Sequence, residues 1–132
     1  MTLYPHMMPE DVPVWERWLA KHAAEDLLFD YDILVGSNID TPEDLPEPYG
    51  TMAVALSKKR IDVVITADTG VIVAEVKRLA GWTAIGQLFG YPLLFIDEFQ
   101  PDIPVSGLLI AESLTKDTQR ILDAFSVPYE LV

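Results

Sequence analysis

Three charged residues interrupt two β-like runs in the stretch RIDVVITADTGVIVAEVKR, which covers residues 60–78. Asp62 lies in the first run, and Glu75 and Lys77 lie in the second. Core strands normally exclude such side chains, because burying an unpaired carboxylate costs several kcal/mol in practice. The pattern therefore requires something that compensates the charges of Asp62 and Glu75.

The spacing of the two runs predicts how they pair. If residues 68–69 form a two-residue turn, Ala67 pairs with Gly70, and each later pair lies one residue further along both strands. Asp62 then lies directly opposite Glu75, and like charges in that position repel each other. A divalent cation would offset the repulsion, because Mg²⁺ prefers oxygen ligands and typically takes one or two carboxylates, with water and phosphate completing its shell.

Lys77 lies two residues after Glu75 and is therefore expected on the same side of the strand. Its ammonium group could orient a water molecule or stabilise the charge that develops during metal-assisted phosphodiester hydrolysis. The simpler alternative is that Asp62, Glu75 and Lys77 form an ion-paired strand end at the surface. Taken alone, two carboxylates and a lysine at this spacing are a common pattern, so further residues must support the catalytic interpretation.

The next predicted helix supplies a second pair of polar residues. In the segment AIGQLFGY, Gln87 and Tyr91 are four residues apart, so they lie one above the other on a single helix face. Only a few residues separate this helix from the hairpin in the chain. We therefore expect Gln87 and Tyr91 to lie near Glu75 and Lys77.

A hairpin with D…ExK followed by a helix with QxxxY resembles the PD-(D/E)xK nuclease superfamily, particularly its RecB-like and archaeal Holliday-junction-resolvase-like branches. The resemblance covers about residues 13–111, and it implies a restriction-endonuclease-like core and DNA cleavage that depends on Mg²⁺ or Mn²⁺. The resemblance also implies that Gln87 forms a hydrogen bond close to Lys77 or to the metal-bound water, and that Tyr91 contacts the phosphate or supports Gln87. Ile61 precedes Asp62, where the family name has Pro, although many members lack that Pro too.

The resemblance also assigns the hairpin residues. It implies that Asp62 and Glu75 bind the metal, that the carbonyl of Val76 adds a ligand, and that Lys77 positions the attacking water. The family often takes a further metal ligand from its first helix, a Glu in one branch and a His in the other.

The first predicted helix offers three candidates for that further ligand, namely Glu16, Glu25 and His22. Glu16 is preferred on position alone. His22 falls on the apolar face with Trp15 and Trp18, which favours a packed histidine.

The net charge of −12 argues against a protein that coats nucleic acid. The charge is uneven, because residues 1–50 hold eleven acids and two bases, whereas residues 51–91 hold three acids and five bases. The bases of the second segment surround the hairpin motif, and they are Lys58, Lys59, Arg60, Lys77 and Arg78. We expect Lys58, Lys59, Arg60 and Arg78 to contact the phosphates of DNA.

Hydrophobic periodicity predicts one α/β domain over residues 1–132, with a mixed β-sheet flanked by helices on both faces. The expected order is α-β-β-β-α-β-α-β. The predicted helices run from Pro13, capped by Asp11, to about Leu28; from about Trp82, kinked or ended by Pro92; and over Thr115–Phe125 with Thr115 as cap. The predicted strands are Asp30–Val35, Met52–Leu56 running into Arg60–Thr66, Val71–Lys77, Val105–Ala111 and Pro128–Val132. Gly86 and Gly90 share a helix face, which predicts close packing on the sheet.

The chain has no Cys, no signal-peptide pattern and no long apolar run, so we expect a soluble cytoplasmic protein. The sequence leaves open two functions besides a DNA-cutting enzyme. One is a catalytically silent adaptor or subunit with the same fold, and the other is an acidic binding protein or DNA mimic. It also leaves open a homodimer or a protein partner.

Overall fold

The computed structural model of the chain describes residues 4, 6–36, 46–48 and 59–132. Within these ranges three helices and five strands follow one another in the order α-β-β-β-α-β-α-β. They are α1 (Val12–Lys21), β1 (Leu28–Val35), β2 (Lys59–Ala67), β3 (Gly70–Ala80), α2 (Trp82–Phe99), β4 (Val105–Leu114), α3 (Lys116–Ala124) and β5 (Tyr129–Leu131). The predicted strand Met52–Leu56 and most of the predicted loop Gly36–Gly50 lie outside the described residues.

The five strands form one mixed sheet in the order β1-β2-β3-β4-β5. The pairs β1–β2 and β2–β3 are antiparallel, and β3–β4 and β4–β5 are parallel. On one face α1 packs through Val14, Trp15 and Trp18. On the other face α2 and α3 pack against alternate residues of β3 and β4. The prediction of an α/β fold with a mixed sheet and helices on both faces is confirmed.

Helix α1 is shorter than the sequence predicts, because it ends at Lys21 instead of near Leu28. The backbone N–H of His22 closes the helix on the carbonyls of Trp18 and Leu19. Residues 23–26 are largely exposed, so extending the helix through them would bury little further apolar surface. The apolar residue Leu28 instead begins β1.

Helix α2 continues through Pro92 to Phe99, so of the two predicted effects of Pro92, a kink or an end of the helix, the end does not occur. Proline leaves the carbonyl four residues earlier without its helical donor. That carbonyl belongs to Leu88, and it lies over Gly107 of β4, where a Cβ would come within 3.0 Å of the oxygen and 3.1 Å of the Pro92 ring. The helix therefore packs closely on the sheet at Gly107. A Cβ on Gly86 or Gly90 would meet nothing within 4 Å, so the prediction that they pack on the sheet is wrong.

The close approach at Gly107 gives a stability prediction. Gly107→Ala should lower the free energy of unfolding by about 1–3 kcal/mol, since Leu88 and Pro92 must move to admit a methyl group. Gly90→Ala is the matched control, because the added methyl meets open space and alanine is the better helix former by about 1 kcal/mol. Urea unfolding of the three proteins measures both effects. Equal stability of Gly107→Ala and the wild type would contradict the packing.

Two local predictions near the C-terminus are confirmed. Thr115 caps α3, where its Oγ1 accepts a hydrogen bond from the N–H of Thr118 at 3.4 Å. The last strand forms at Tyr129–Leu131 and pairs in parallel with β4. Within the described part of the chain, no helix has the length and apolar character needed to cross a membrane.

Candidate active site

The predicted β2–β3 hairpin forms with the predicted register. Ala67 pairs with Gly70, and the pairing continues to Val63 and Ala74, where the antiparallel ladder ends. The next two residues in this register would be Asp62 and Glu75. Instead of a main-chain contact at this point, the Oδ2 atom of Asp62 accepts the backbone N–H of Val76 at 2.9 Å. One oxygen of Asp62 is therefore committed to holding β2 and β3 together.

Strand β2 changes the face that it presents at Asp62. Val63 packs in the cluster under α1, whereas Ile61, two residues away, packs in the cluster under α2. Residues two apart in a regular strand point to the same face, so the strand is irregular between them. The neighbouring residue in β1 is Asp32, whose φ of 55° places it in the left-handed region. This irregularity is a feature of the described fold that strand periodicity did not predict.

Glu75 is a buried carboxyl group that lies against Asp62. The residue is 1% exposed, and neither its Oε1 nor its Oε2 atom makes a hydrogen bond of normal geometry with another described residue. Burial, and after it the neighbouring charge of Asp62, raises the pKa of Glu75 from 4.5 to about 10. Without a cation beside it, this carboxyl therefore holds a proton at neutral pH.

Tyr91 of α2 is within electrostatic range of this carboxyl group, and Gln87 contacts Tyr91. The Oε1 atom of Gln87 is also buried without a donor in the described structure, and its Nε2 lies 3.5 Å from the hydroxyl of Tyr91, which is long for a hydrogen bond. Burial raises the pKa of Tyr91, and the contact with Gln87 lowers it by a smaller amount. The charges of Glu75 and Asp62 raise this pKa further. Tyr91 is therefore within electrostatic range of both carboxylates.

Lys77 is half-buried and completes the cluster. Its charge lowers the pKa of Glu75, although burial and Asp62 outweigh it there. Among the described residues no carboxylate lies within 4.0 Å of the Lys77 ammonium group, so no close ion pair neutralises its charge. The structure thus brings together the five residues of the two motifs, Asp62, Glu75, Lys77, Gln87 and Tyr91.

Asp11 is a further carboxylate at this site, and its role was missed in the sequence. The prediction that Asp11 caps α1 is wrong, because its side chain makes no hydrogen bond to the first turn of the helix. Its Oδ1 atom instead accepts a hydrogen bond from the backbone N–H of Arg78 at 2.7 Å. Burial raises the pKa of Asp11, while the Arg78 N–H and then the charge of Lys77 lower it. The residue that could have indicated this is Pro13 in the first turn of α1. Proline has no backbone N–H, so it removes one of the donors with which a capping side chain forms its hydrogen bond.

None of the three predicted helix ligands makes a described contact with the cluster. Glu16 is exposed on α1 next to Trp15, which faces the sheet. His22 stacks on Trp18 with ring centroids 3.9 Å apart, and its ring nitrogens contact the carboxylates of Glu25 and Glu130. The interpretation of His22 as a packed histidine agrees with this geometry. The role of Glu16 as a metal ligand stays a prediction without a supporting contact.

The predicted phosphate contacts differ in their surroundings. Lys58 lies outside the described residues. Lys59 and Arg78 are exposed, at the first residue of β2 and directly after Lys77 in β3. Arg60 is also exposed, but its Nη1 lies 2.8 Å from Asp32 Oδ2, so much of its charge is compensated within the protein.

The oxygen donors of the cluster fit a hard divalent cation. The carboxylates of Asp62 and Glu75 lie together, and Mg²⁺ and Mn²⁺ prefer such oxygen ligands to nitrogen or sulfur. No group of three or more His, Asp or Glu side chains with metal-ligand spacing occurs in the described part of the chain. A cation here would therefore complete its shell with water, phosphate or backbone carbonyls, which is usual for Mg²⁺.

Comparisons with known proteins bear on the fold alone. No protein-family model and no curated protein matches the chain. A crystal structure of a protein of unknown function, AF1548, is similar, with a TM-score of 0.51 and 10% sequence identity. The match covers 91% of this chain and 56% of that one, so this chain spans little more than half the length of its structural neighbour.

Proposed function

We propose that this protein is a divalent-metal-dependent nuclease that hydrolyses phosphodiester bonds in DNA. The observation that carries the proposal is the carboxyl group of Glu75, which is buried beside the carboxylate of Asp62 and makes no hydrogen bond of normal geometry with another described residue. An isolated buried pair of this kind is costly, and functional sites are where such perturbed groups cluster. The alternative of an ion-paired strand end is less consistent with the burial of Glu75.

Asp62 and Glu75 would hold Mg²⁺ or Mn²⁺, and the carbonyl of Val76 is a further candidate ligand. When bound, such a cation lowers the pKa of a coordinated water and offsets the charge of the scissile phosphate. The resemblance to the PD-(D/E)xK superfamily supports the same assignment. The irregular strand at Asp62 and the fixed Oδ2–Val76 contact hold one carboxylate in place before any ligand binds.

The other residues of the cluster would act on the water and the phosphate. Lys77 carries a positive charge beside the two carboxylates, where it can orient the attacking water and stabilise negative charge that develops on the phosphate. Gln87 has a free acceptor oxygen for a water proton. Tyr91, held neutral by its raised pKa, can donate its hydroxyl proton in a hydrogen bond to a phosphate oxygen.

The proposal that the substrate is DNA depends on the positive charge of the residues around the hairpin. Lys59 begins β2 three residues before Asp62, Arg78 follows Lys77 in β3, and both are exposed in a chain whose overall charge is −12. The acidic remainder of the surface would repel DNA elsewhere and favour approach at this region. Because few cations are present, binding should be weak, and it should weaken further as salt is added, with a slope set by the number of phosphate contacts.

The direct test is incubation with single-stranded, duplex and branched DNA in Mg²⁺, Mn²⁺ or EDTA. We expect cleavage with either metal and none with EDTA. DNA binding in Ca²⁺ without cleavage in any metal would instead support the catalytically silent adaptor. Absence of binding even at low salt would contradict a DNA substrate and favour the acidic binding protein.

The raised pKa of Glu75 gives a prediction about pH. Between pH 4.5 and about 10 the folded protein holds this proton and the unfolded chain does not, so without metal the free energy of unfolding should fall as pH rises. The slope should approach about 1.4 kcal/mol per pH unit and should be lost in Glu75→Gln. Urea unfolding in EDTA at several pH values measures it, with Glu112→Gln, an exposed acid, as control.

The same proton should compete with the metal. Binding of Mg²⁺ or Mn²⁺ should release about one proton and should tighten as pH rises, because the cation requires the ionised carboxylate. Calorimetric titration in buffers of different ionisation enthalpy counts the proton. Metal binding without proton uptake or release would contradict the assignment of Glu75 as a protonated ligand.

A further inference from the structure

The outward face of α2 is apolar where a surface helix normally carries polar side chains. Five positions follow one another at intervals of four, three, four and three residues, and we call them the outer seam: Trp82, Gly86, Phe89, Leu93 and Ile96. The buried residues of α2, namely Ala84, Leu88 and Phe95, lie on the opposite side of the helix. The four large residues of the seam are 66%, 56%, 58% and 40% exposed in chain order.

The intervals of the outer seam are those of a coiled-coil stripe, which packs against one other helix. Gly86 leaves an open position in the seam, because a Cβ there would meet nothing within 4 Å. A bulky side chain of an approaching helix could fill that gap. The exposed aromatic and aliphatic side chains beside it supply the apolar contact that association needs.

We propose that two copies of this chain associate through their outer seams, with the two α2 helices antiparallel. Around a two-fold axis at Phe89, Gly86 faces Leu93 of the second copy, and Trp82 faces its Ile96. The small residue Gly86 then packs against the large residue Leu93, and the two Phe89 rings pack against each other at the axis. The arrangement is independent of the proposed nuclease activity.

Charge selects the antiparallel orientation. Asp97 lies in the last turn of α2, and neither an acid in the first turn nor a base in the last turn balances it. Antiparallel packing brings Asp97 of one copy to the N-terminal end of α2 in the other, where the helix dipole is positive. Parallel packing would place two Asp97 carboxylates together at the negative ends of both helices.

The area of the outer seam suits a modest dimer. A fully exposed aromatic side chain offers about 150–250 Å², so the exposed fractions leave about 450 Å² of apolar surface on each copy. Two copies would bury about 900 Å² of apolar surface, and the flanking polar atoms bring the total near the lower end of specific interfaces, about 1,200 Å². We therefore expect a dimer that dissociates on dilution.

Analytical ultracentrifugation of the intact chain over a concentration series is the first test. The mass should rise from 14.8 kDa towards twice that value as the concentration increases. Phe89→Asp should stay monomeric with an unchanged melting temperature, because Phe89 is outside the core. Phe125→Asp is the matched control, since Phe125 is 71% exposed at the end of α3 and its replacement should leave the dimer intact. Leu93→Glu repeats the test if Phe89→Asp fails to fold.

Cysteine cross-linking tests the orientation, and the absence of native Cys makes the result unambiguous. When Gly86→Cys and Leu93→Cys chains are mixed and oxidised, antiparallel packing predicts mainly disulfides between the two variants. Disulfides mainly within each variant would overturn the antiparallel arrangement. A wild-type chain that remains monomeric at every concentration, or equal loss of the dimer in Phe125→Asp, would overturn the proposal as a whole.

Discussion

Asp62→Asn should abolish DNA cleavage and remove the stabilisation of the fold by Mg²⁺. The amide keeps an oxygen that can accept the N–H of Val76, so the strand contact at 2.9 Å survives while the charge is lost. The raised pKa of Glu75 means that this carboxyl group holds a proton at neutral pH, and a protonated carboxyl group is a poor metal ligand, so Glu75 alone cannot retain the metal. Thermal unfolding with and without Mg²⁺, together with the cleavage rate, measures both losses.

Asp62→Ala is the informative companion variant. It removes the acceptor as well as the charge, so it should unfold more easily than Asp62→Asn by about 1–3 kcal/mol, the cost of an unsatisfied buried N–H. Asp30→Asn, an exposed acid on β1, is the matched control and should change neither property. Full activity with a retained metal response in Asp62→Asn would show that this hairpin is an ion-paired strand end and not a metal site.

Lys77→Ala should separate metal binding from catalysis. It removes a positive charge beside two carboxylates, so the metal should bind as well as in the wild type or more tightly. The chemical step should nevertheless slow by about 10²–10³-fold, the usual loss when a preorganised charge is removed from a transition state. Single-turnover cleavage and metal titration measure the two effects, and Lys116→Ala on α3 is the exposed control.

Gln87→Ala should reduce cleavage less than Lys77→Ala does, because the amide positions its partners and carries no charge. A Lys77→Ala protein that cleaves at the wild-type rate would show that the lysine has no part in the chemistry. A Lys77→Ala protein that loses the metal would instead place the lysine in the support of the metal site.

The hairpin could be predicted from sequence because its determinants are local. A two-residue turn fixed the pairing of Ala67 with Gly70, and alternation placed Glu75 and Lys77 on one side of β3. Helical spacing likewise placed Gln87 beside Tyr91. These inferences need only neighbouring residues and the repeat of a strand or a helix.

The rest of the site depends on contacts between distant residues. Asp11 and Arg78 are 67 positions apart, and nothing in the spacing of either residue indicates their hydrogen bond. The change of face at Asp62 lies opposite the left-handed backbone of Asp32 in another strand. The orientation of Gly86 and Gly90 was predicted wrongly because an apolar α2 is consistent with burial on either side, and periodicity alone could not choose between them.

The end of the β2–β3 ladder has a consequence for aggregation. Among the described residues, the edge of β3 that faces β2 is paired only as far as Ala74, and exposed edges recruit strands from other molecules. Two aspartates occupy the N–H groups of that edge, Asp62 at Val76 and Asp11 at Arg78. The same carboxylates that make the cluster acidic thus protect the chain against intermolecular strand addition, so a variant that removes both acceptors should be prone to form β-aggregates.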